Sequence, residues 1–202
     1  TTMTFTVTVT AVNDAPTVSS APAVTTNEDV EYAFATSNFN FTDVDAGDAL
    51  DHIEVTSLED AGTLYLDADN DDAYDSGEDI TANQDITFAN ITSGHLRFAP
   101  AANANGDPYT TFAYKVNDGD DYSSSASTMT IDVTAVNDAP TVSSAPTVTT
   151  NEDVEIAFAT DNFNFSDVDA GDALDHIEVT SLESVGTLYL DADNDDTHDS
   201  GE

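Results

Sequence analysis

The chain has 202 residues, a formal net charge of −39, no cysteine and only two bases, Arg97 and Lys115. Its 41 acidic residues exclude nucleic acid and anionic membrane surfaces as partners and favour cations, and the lack of cysteine excludes disulfides and thiolate zinc sites. A hydrophobic fraction of 39%, with ten Phe and seven Tyr, is enough for a packed core, and no run reaches the roughly 18 apolar residues of a membrane span.

The first segment, Thr4 to Thr10, alternates Phe5, Val7 and Val9 with threonines, which predicts a strand. Asn13-Asp14-Ala15-Pro16 follows and ends it, because proline cannot continue a ladder and stiffens what comes next. Thr1 opens no leader-like segment, so the chain reads as the interior of a longer protein.

Next come Glu28 and Asp29, then Asp43-Val44-Asp45-Ala46-Gly47-Asp48 directly after a short aromatic stretch ending at Phe41. Alternate aspartates on a loop are suited to sharing one hard cation, here with Glu28 and Asp29; the alternative is a charged β-turn. Ile53 and Val55, and then Leu64 and Leu66, mark two further strands.

Asp67 opens the sharpest motif. Over the twelve residues to Glu78, Asp67, Asp69, Asp71, Ala73, Asp75 and Glu78 stand at loop positions 1, 3, 5, 7, 9 and 12. Those are the ligand positions of an EF-hand calcium loop, with the seventh ligand a backbone carbonyl. Position 6, normally glycine, is Asp72, and the flank from Thr63 to Leu66 has strand character. The motif therefore predicts an EF-like calcium loop carried on a β scaffold, against the alternative of a solvated acidic turn.

Phe112, Tyr114 and Val116 form another alternating run, Asn117-Asp118-Gly119 a turn, and Met129, Ile131 and Val133 the next strand. Asn117, Asp118, Asp120 and Asp121 fit a hairpin turn and a cation site equally well. His52, His95 and His176 lack a nucleophile motif or a second histidine at ligand spacing, and are read as strand-end residues.

From Ala135 the chain begins again. The 68 residues from Ala11 to Glu78 recur at 135–202, an offset of 135 − 11 = 124, with eight differences. The substitutions at Ala73 and Tyr74 spare every side-chain ligand position. The copy supplies Asp191, Asp193, Asp195, Thr197, Asp199 and Glu202. Three parts follow: residues 1–14 as the last strand of a preceding repeat, 15–138 as a complete repeat, and 139–202 as the first half of the next. Seven or so strands in about 120 residues, each with one apolar face, predict an all-β fold of tandem immunoglobulin-like sandwiches.

The order of motifs resembles the cadherin-like repeats of giant bacterial surface adhesins, including those of the RTX type. It runs Asn-Asp-Ala-Pro joint, Asn-Glu-Asp, Phe-x-Asp-x-Asp, Gly-Thr-Leu, and Tyr-x-Val-Asn-Asp-Gly. The resemblance implies a string of sandwich domains outside the cell, stiffened by Ca²⁺ at the joints and projecting a ligand-binding tip. It also implies joint ligands at Glu28, Asp43, Asp45, Asn137 and Asp138, with Glu152, Asp167 and Asp169 from the next repeat. Two departures stand out. Thr134, Ala135 and Val136 occupy the place where animal cadherins carry a further Asp, and glycine-rich RTX nonapeptides are lacking.

Near-identical acidic loops suit length, stiffness or avidity rather than catalysis. The sequence thus predicts a non-enzymatic, calcium-binding extender on the cell surface, its partners being neighbouring repeats of the same protein. The alternative is a protomer of an extracellular filament, with half-repeats completed by other copies.

Overall fold

The computed structural model describes residues 2–19, 21–142, 145–191 and 198. It divides the chain into two compact units, 1–136 and 137–202.

In the first unit the strands are β1 (Thr17–Val18), β2 (Ala23–Asn27), β3 (Tyr32–Ala33), β4 (Phe41–Thr42), β5 (His52–Ser57), β6 (Thr63–Leu66), β7 (Gln84–Thr87), β8 (Leu96–Ala99), β9 (Gly106–Asn117) and β10 (Ser127–Thr134). A five-residue helix, α1 (Phe88–Thr92), joins β7 to β8. The fold is all-β, as the period-2 pattern predicts.

A five-stranded sheet runs β2-β10-β9-β5-β7 and a three-stranded sheet runs β3-β8-β6, while β1 pairs with β4. The long strands β9 and β10 are antiparallel neighbours at the centre, and β2 joins β10 in parallel, Val24 facing Ile131 and Thr26 facing Val133.

The alternating apolar residues point to one core. Ile53, Val55, Phe112, Tyr114, Val116, Met129 and Ile131 come from the larger sheet, Leu64, Leu96 and Phe98 from the smaller, and all are buried. Phe34 meets Phe112 edge-on at 5.6 Å and Phe39 meets Tyr114 at 5.0 Å, the geometry that ring quadrupoles favour. Gly62 shows why one glycine sits where it does. Its φ is +74°, and a Cβ there would lie 2.4 Å from the Phe98 ring and 2.8 Å from the Ala99 carbonyl, so no side chain fits ahead of β6.

The segment read as an opening strand, Thr4 to Thr10, pairs with nothing among the described residues. Phe5, Val7 and Val9 are more than 80% exposed, whereas their counterparts 124 residues on, Met129, Ile131 and Val133, are buried. The reason is topological. The place beside β2 and β9 is already filled by β10, so the same sequence has no ladder to join in this unit.

The second unit contains β11 (Thr141–Val142) and β12 (Phe165–Ser166), which pair Thr141 with Ser166 and Val142 with Phe165. That register is the β1–β4 register shifted by 124 at both strands. Ile177 and Val179, counterparts of the fully buried Ile53 and Val55, are half exposed. No counterpart of β9 lies beside them among the described residues.

Candidate metal centres

The loop after β6 begins with the most buried acid described in the molecule. Asp67 is fully buried, and its carboxylate accepts the N–H of Asn70 at 2.7 Å, of Asp71 at 3.3 Å and of Asp72 at 3.1 Å. Three backbone donors on one carboxylate curl the chain around it, and Asn70 and Asp72 take left-handed φ values of +62° and +68°. Asp72 thus adopts the conformation that glycine supplies at position 6, which short Asx side chains tolerate.

The curl brings ligand oxygens together. Asp67, Asp69 and Asp71 each offer a carboxylate oxygen, all within 4.8 Å of one another. Calcium holds its oxygens at about 2.3–2.6 Å, so oxygens on opposite sides of one ion lie up to about 5 Å apart. The triad fits that span. Its electrostatics are those of a site with acids in excess: the charge of Asp71, then burial, then Glu78, Asp75 and Asp67 raise the Asp69 carboxyl above the ordinary carboxylate range.

The rest of the loop is tied together by backbone donors. Both Glu78 oxygens accept backbone N–H groups, from Ala68 at 2.7 Å and Asp75 at 2.9 Å, and so close the loop. Ala73 donates its N–H to Asp71 at 2.9 Å. The geometry therefore brings three of the predicted ligands, Asp67, Asp69 and Asp71, together, with Glu78 clasping the loop and Asp75 tied to it through its backbone.

Arg97, unmarked by any motif, reaches this loop from β8. Its Nε lies 3.6 Å from Asp67 Oδ2 and donates to the Gly94 carbonyl at 3.1 Å. Nη1 donates to the Asp72 carbonyl at 3.3 Å, and Nη2 pairs with the Asp72 carboxylate. Glu31 Oε2 stands 3.7 Å from Nη1 and also accepts the Tyr65 hydroxyl.

A second cluster assembles from three separate stretches. Asp43, Asp48 and Asp118 present oxygens within 4.8 Å of one another, and one Asp43 oxygen is buried without a hydrogen-bond partner. Asp45 donates its N–H to Asp43 at 2.9 Å and accepts that of Asp14 at 2.7 Å. Asn13 donates to both Asp118 and Asp121 at 3.2 Å. The two loops read separately, at 43–48 and 117–121, therefore meet at one place beside the joint. Burial, then Asp43, Asp45, Asp118 and Asp120, raises the Asp48 carboxyl. Asp118 goes the other way: burial opposes ionisation, but the N–H groups of Asp121 and Asp120 and the Asn13 amide outweigh it and lower the carboxyl.

Glu28 and Asp29 do not join that cluster within this unit. Glu28, which is buried, accepts the Val136 N–H at 2.5 Å and the Asn105 amide at 3.3 Å, and Asp29 accepts the Asn103 N–H at 3.0 Å. The ladder explains it. Val136 follows the end of β10 and Asp118 the end of β9, its antiparallel neighbour, so the eight residues of β10 set the two about 25 Å apart.

In the second unit, Asp167, Asp169 and Asp172 form a matching triad within 4.8 Å. Asp169 accepts the Asp138 N–H at 2.7 Å, and Asn137 donates to the Asp138 carbonyl. Glu152 is exposed. Asp191 is half buried, while Asp193, Asp195, Thr197, Asp199 and Glu202 lie outside the described residues.

His52 bridges Asp51 and Tyr122 at 2.8 Å each, and Tyr122 donates to Asp85 at 2.9 Å. Burial first, then the Asp85 bond and charge, push the Tyr122 hydroxyl up to about 12. No protein-family model, curated protein or solved structure matches the chain.

Proposed function

We propose that the chain is a calcium-binding spacer: tandem cadherin-like sandwich repeats of an extracellular bacterial adhesin, stiffened by Ca²⁺ and carrying a distal adhesive region away from the cell surface. The observation that carries the calcium reading is the fully buried Asp67 carboxylate curled into a triad with Asp69 and Asp71, their oxygens within 4.8 Å. Of the three, Arg97 offsets Asp67 alone. Asp69 and Asp71 crowd against it, with the Asp69 carboxyl raised, and are relieved only by a further cation among the three.

Repetition supports a mechanical role. The stretch 15–138 holds 24 acids and two bases, a net charge of 2 − 24 = −22. A few divalent ions neutralise the acids forced together in loops, and the rest keeps neighbouring rods apart and soluble. The same Asp-x-Asp loop grips the joint motif in both units, through Asp45 on Asp14 and Asp169 on Asp138, as a spacer with standardised joints requires. Calcium titration of the full chain by calorimetry tests the reading. Saturable calcium binding that survives excess magnesium supports it, and an absence of binding heat at millimolar calcium overturns it.

A further inference from the structure

The acidic loop contains a cation of its own. One of only two basic side chains in the whole chain is spent on the segment 67–78, and it is largely shielded from solvent, 16% exposed. Strand pairing puts it there: Arg97 on β8 faces Tyr65 on β6, two residues before Asp67.

The guanidinium makes two kinds of contact. It stands 3.6 Å from the buried Asp67 carboxylate, which it offsets electrostatically. It also takes Asp72 by two atoms, the carbonyl and the carboxylate, at the residue whose φ is +68°. The two nitrogens of a planar fork hold the backbone and side-chain oxygens of Asp72 in one fixed geometry; an ammonium, a single point charge on a flexible stem, reaches them without that pre-organisation. Asp72 in turn donates its N–H to Asp67, so guanidinium, left-handed turn and first ligand form one closed arrangement.

We infer that Arg97 is the positioning residue of the Asp67–Glu78 loop, holding the left-handed turn at Asp72 and offsetting Asp67 so that the ligand triad is assembled before an ion arrives. The inference rests on the calcium reading for its effect on affinity, but not for its effect on the loop. A preassembled loop gives up less freedom on binding, which raises affinity. The opposing effect is repulsion between guanidinium and incoming ion, which lowers it. Because the fork is occupied by Asp72 and Glu31 as well as by Asp67, preassembly outweighs repulsion.

Amide hydrogen exchange in EDTA and calcium calorimetry on the full-length wild type, Arg97→Gln and Arg97→Lys decide it. In EDTA the Asn70 and Asp72 amides of Arg97→Gln exchange at least about tenfold faster than in wild type. The Tyr114 amide, in the core, is unchanged. Arg97→Gln also binds calcium about tenfold more weakly, and Arg97→Lys, which restores charge without the fork, falls between. Equal exchange at Asn70 and Asp72 in wild type and variant overturns the inference, as does calcium affinity that is unchanged or higher in Arg97→Gln. If Arg97→Gln loses protection at Tyr114, Arg97→Lys is judged by the same two criteria. If the wild type binds no calcium, the functional reading fails and the EDTA exchange alone judges Arg97.

Discussion

The backbone N–H of Asp14 donates to Oδ2 of Asp45 at 2.7 Å. In the second unit, 124 residues on, Asp138 and Asp169 make the same bond at the same distance. An acid two residues into a loop thus fixes the backbone of the joint that precedes its own repeat. Asp45 in turn is oriented by donating its N–H to Asp43, and Asp169 by donating to Asp167. In the second unit the acid that holds the joint, Asp169, is itself a member of the Asp167–Asp169–Asp172 triad, whereas in the first unit Asp45 holds it next to the triad residue Asp43.

Replacing Asp45 with Ala removes that acceptor and leaves the Asp14 N–H to water. Because the bond is exposed, the expected loss is about 1 kcal/mol. Proteolysis near Asn13–Pro16 should quicken accordingly, and Asp45→Asn, which keeps an acceptor, should cleave more slowly than Asp45→Ala.

Asp69→Asn should act with opposite signs in the two ionic conditions. In EDTA it relieves repulsion from Asp71, Glu78, Asp75 and Asp67, the charges that raise the Asp69 carboxyl, so the melting temperature rises. In calcium it removes a ligand oxygen's charge, so affinity at this loop falls about tenfold or more. Differential scanning calorimetry in both buffers reads the two signs together.

Gly62→Ala should be the most damaging alanine substitution among the described glycines. Its Cβ meets the Phe98 ring at 2.4 Å and the Ala99 carbonyl at 2.8 Å, at a φ of +74°. Strain and overpacking add, and a loss of about 2–4 kcal/mol is expected in urea unfolding. A change below about 0.5 kcal/mol would contradict the described packing of β6 on β8.

Asp132 on β10 gives a pH dependence whose sign is fixed. Burial first, then the charge of Asp107 and a hydrogen bond to it, raise its carboxyl. Between the ordinary and the raised value the folded chain binds more protons than the unfolded one, so this group's contribution to stability falls as pH rises through that window. Asp132→Asn should therefore melt higher than wild type at pH 7, with the difference shrinking as the pH is lowered into the carboxylate range.

Much of this was legible in the sequence. Alternation placed Ile53, Val55, Phe112, Tyr114, Val116, Met129, Ile131 and Val133 on the buried face, where all eight lie. Spacing picked out Asp67, Asp69 and Asp71 as a converging set. What escaped depends on strand neighbours, which one chain's local pattern does not encode. Arg97 reaches Asp72 from 25 residues away because β8 pairs with β6. Asn13 reaches Asp118 across 105 residues. Glu78, read as a ligand, also closes the loop by accepting two of its backbone N–H groups. Thr4 to Thr10 shows the converse limit: a segment with strand alternation forms a strand only where a neighbour has room for it. The helix at Phe88–Thr92 is too short to register as a 3.6-residue period.

The most direct measurement of the central claim is thermal melting and small-angle scattering of the full chain in EDTA and in millimolar calcium. Two filled sites at a hundredfold excess of calcium over Kd add about 5 kcal/mol. The account predicts a melting temperature about 10 °C higher in calcium and a smaller radius of gyration. Superimposable melting and scattering curves in the two buffers would contradict it.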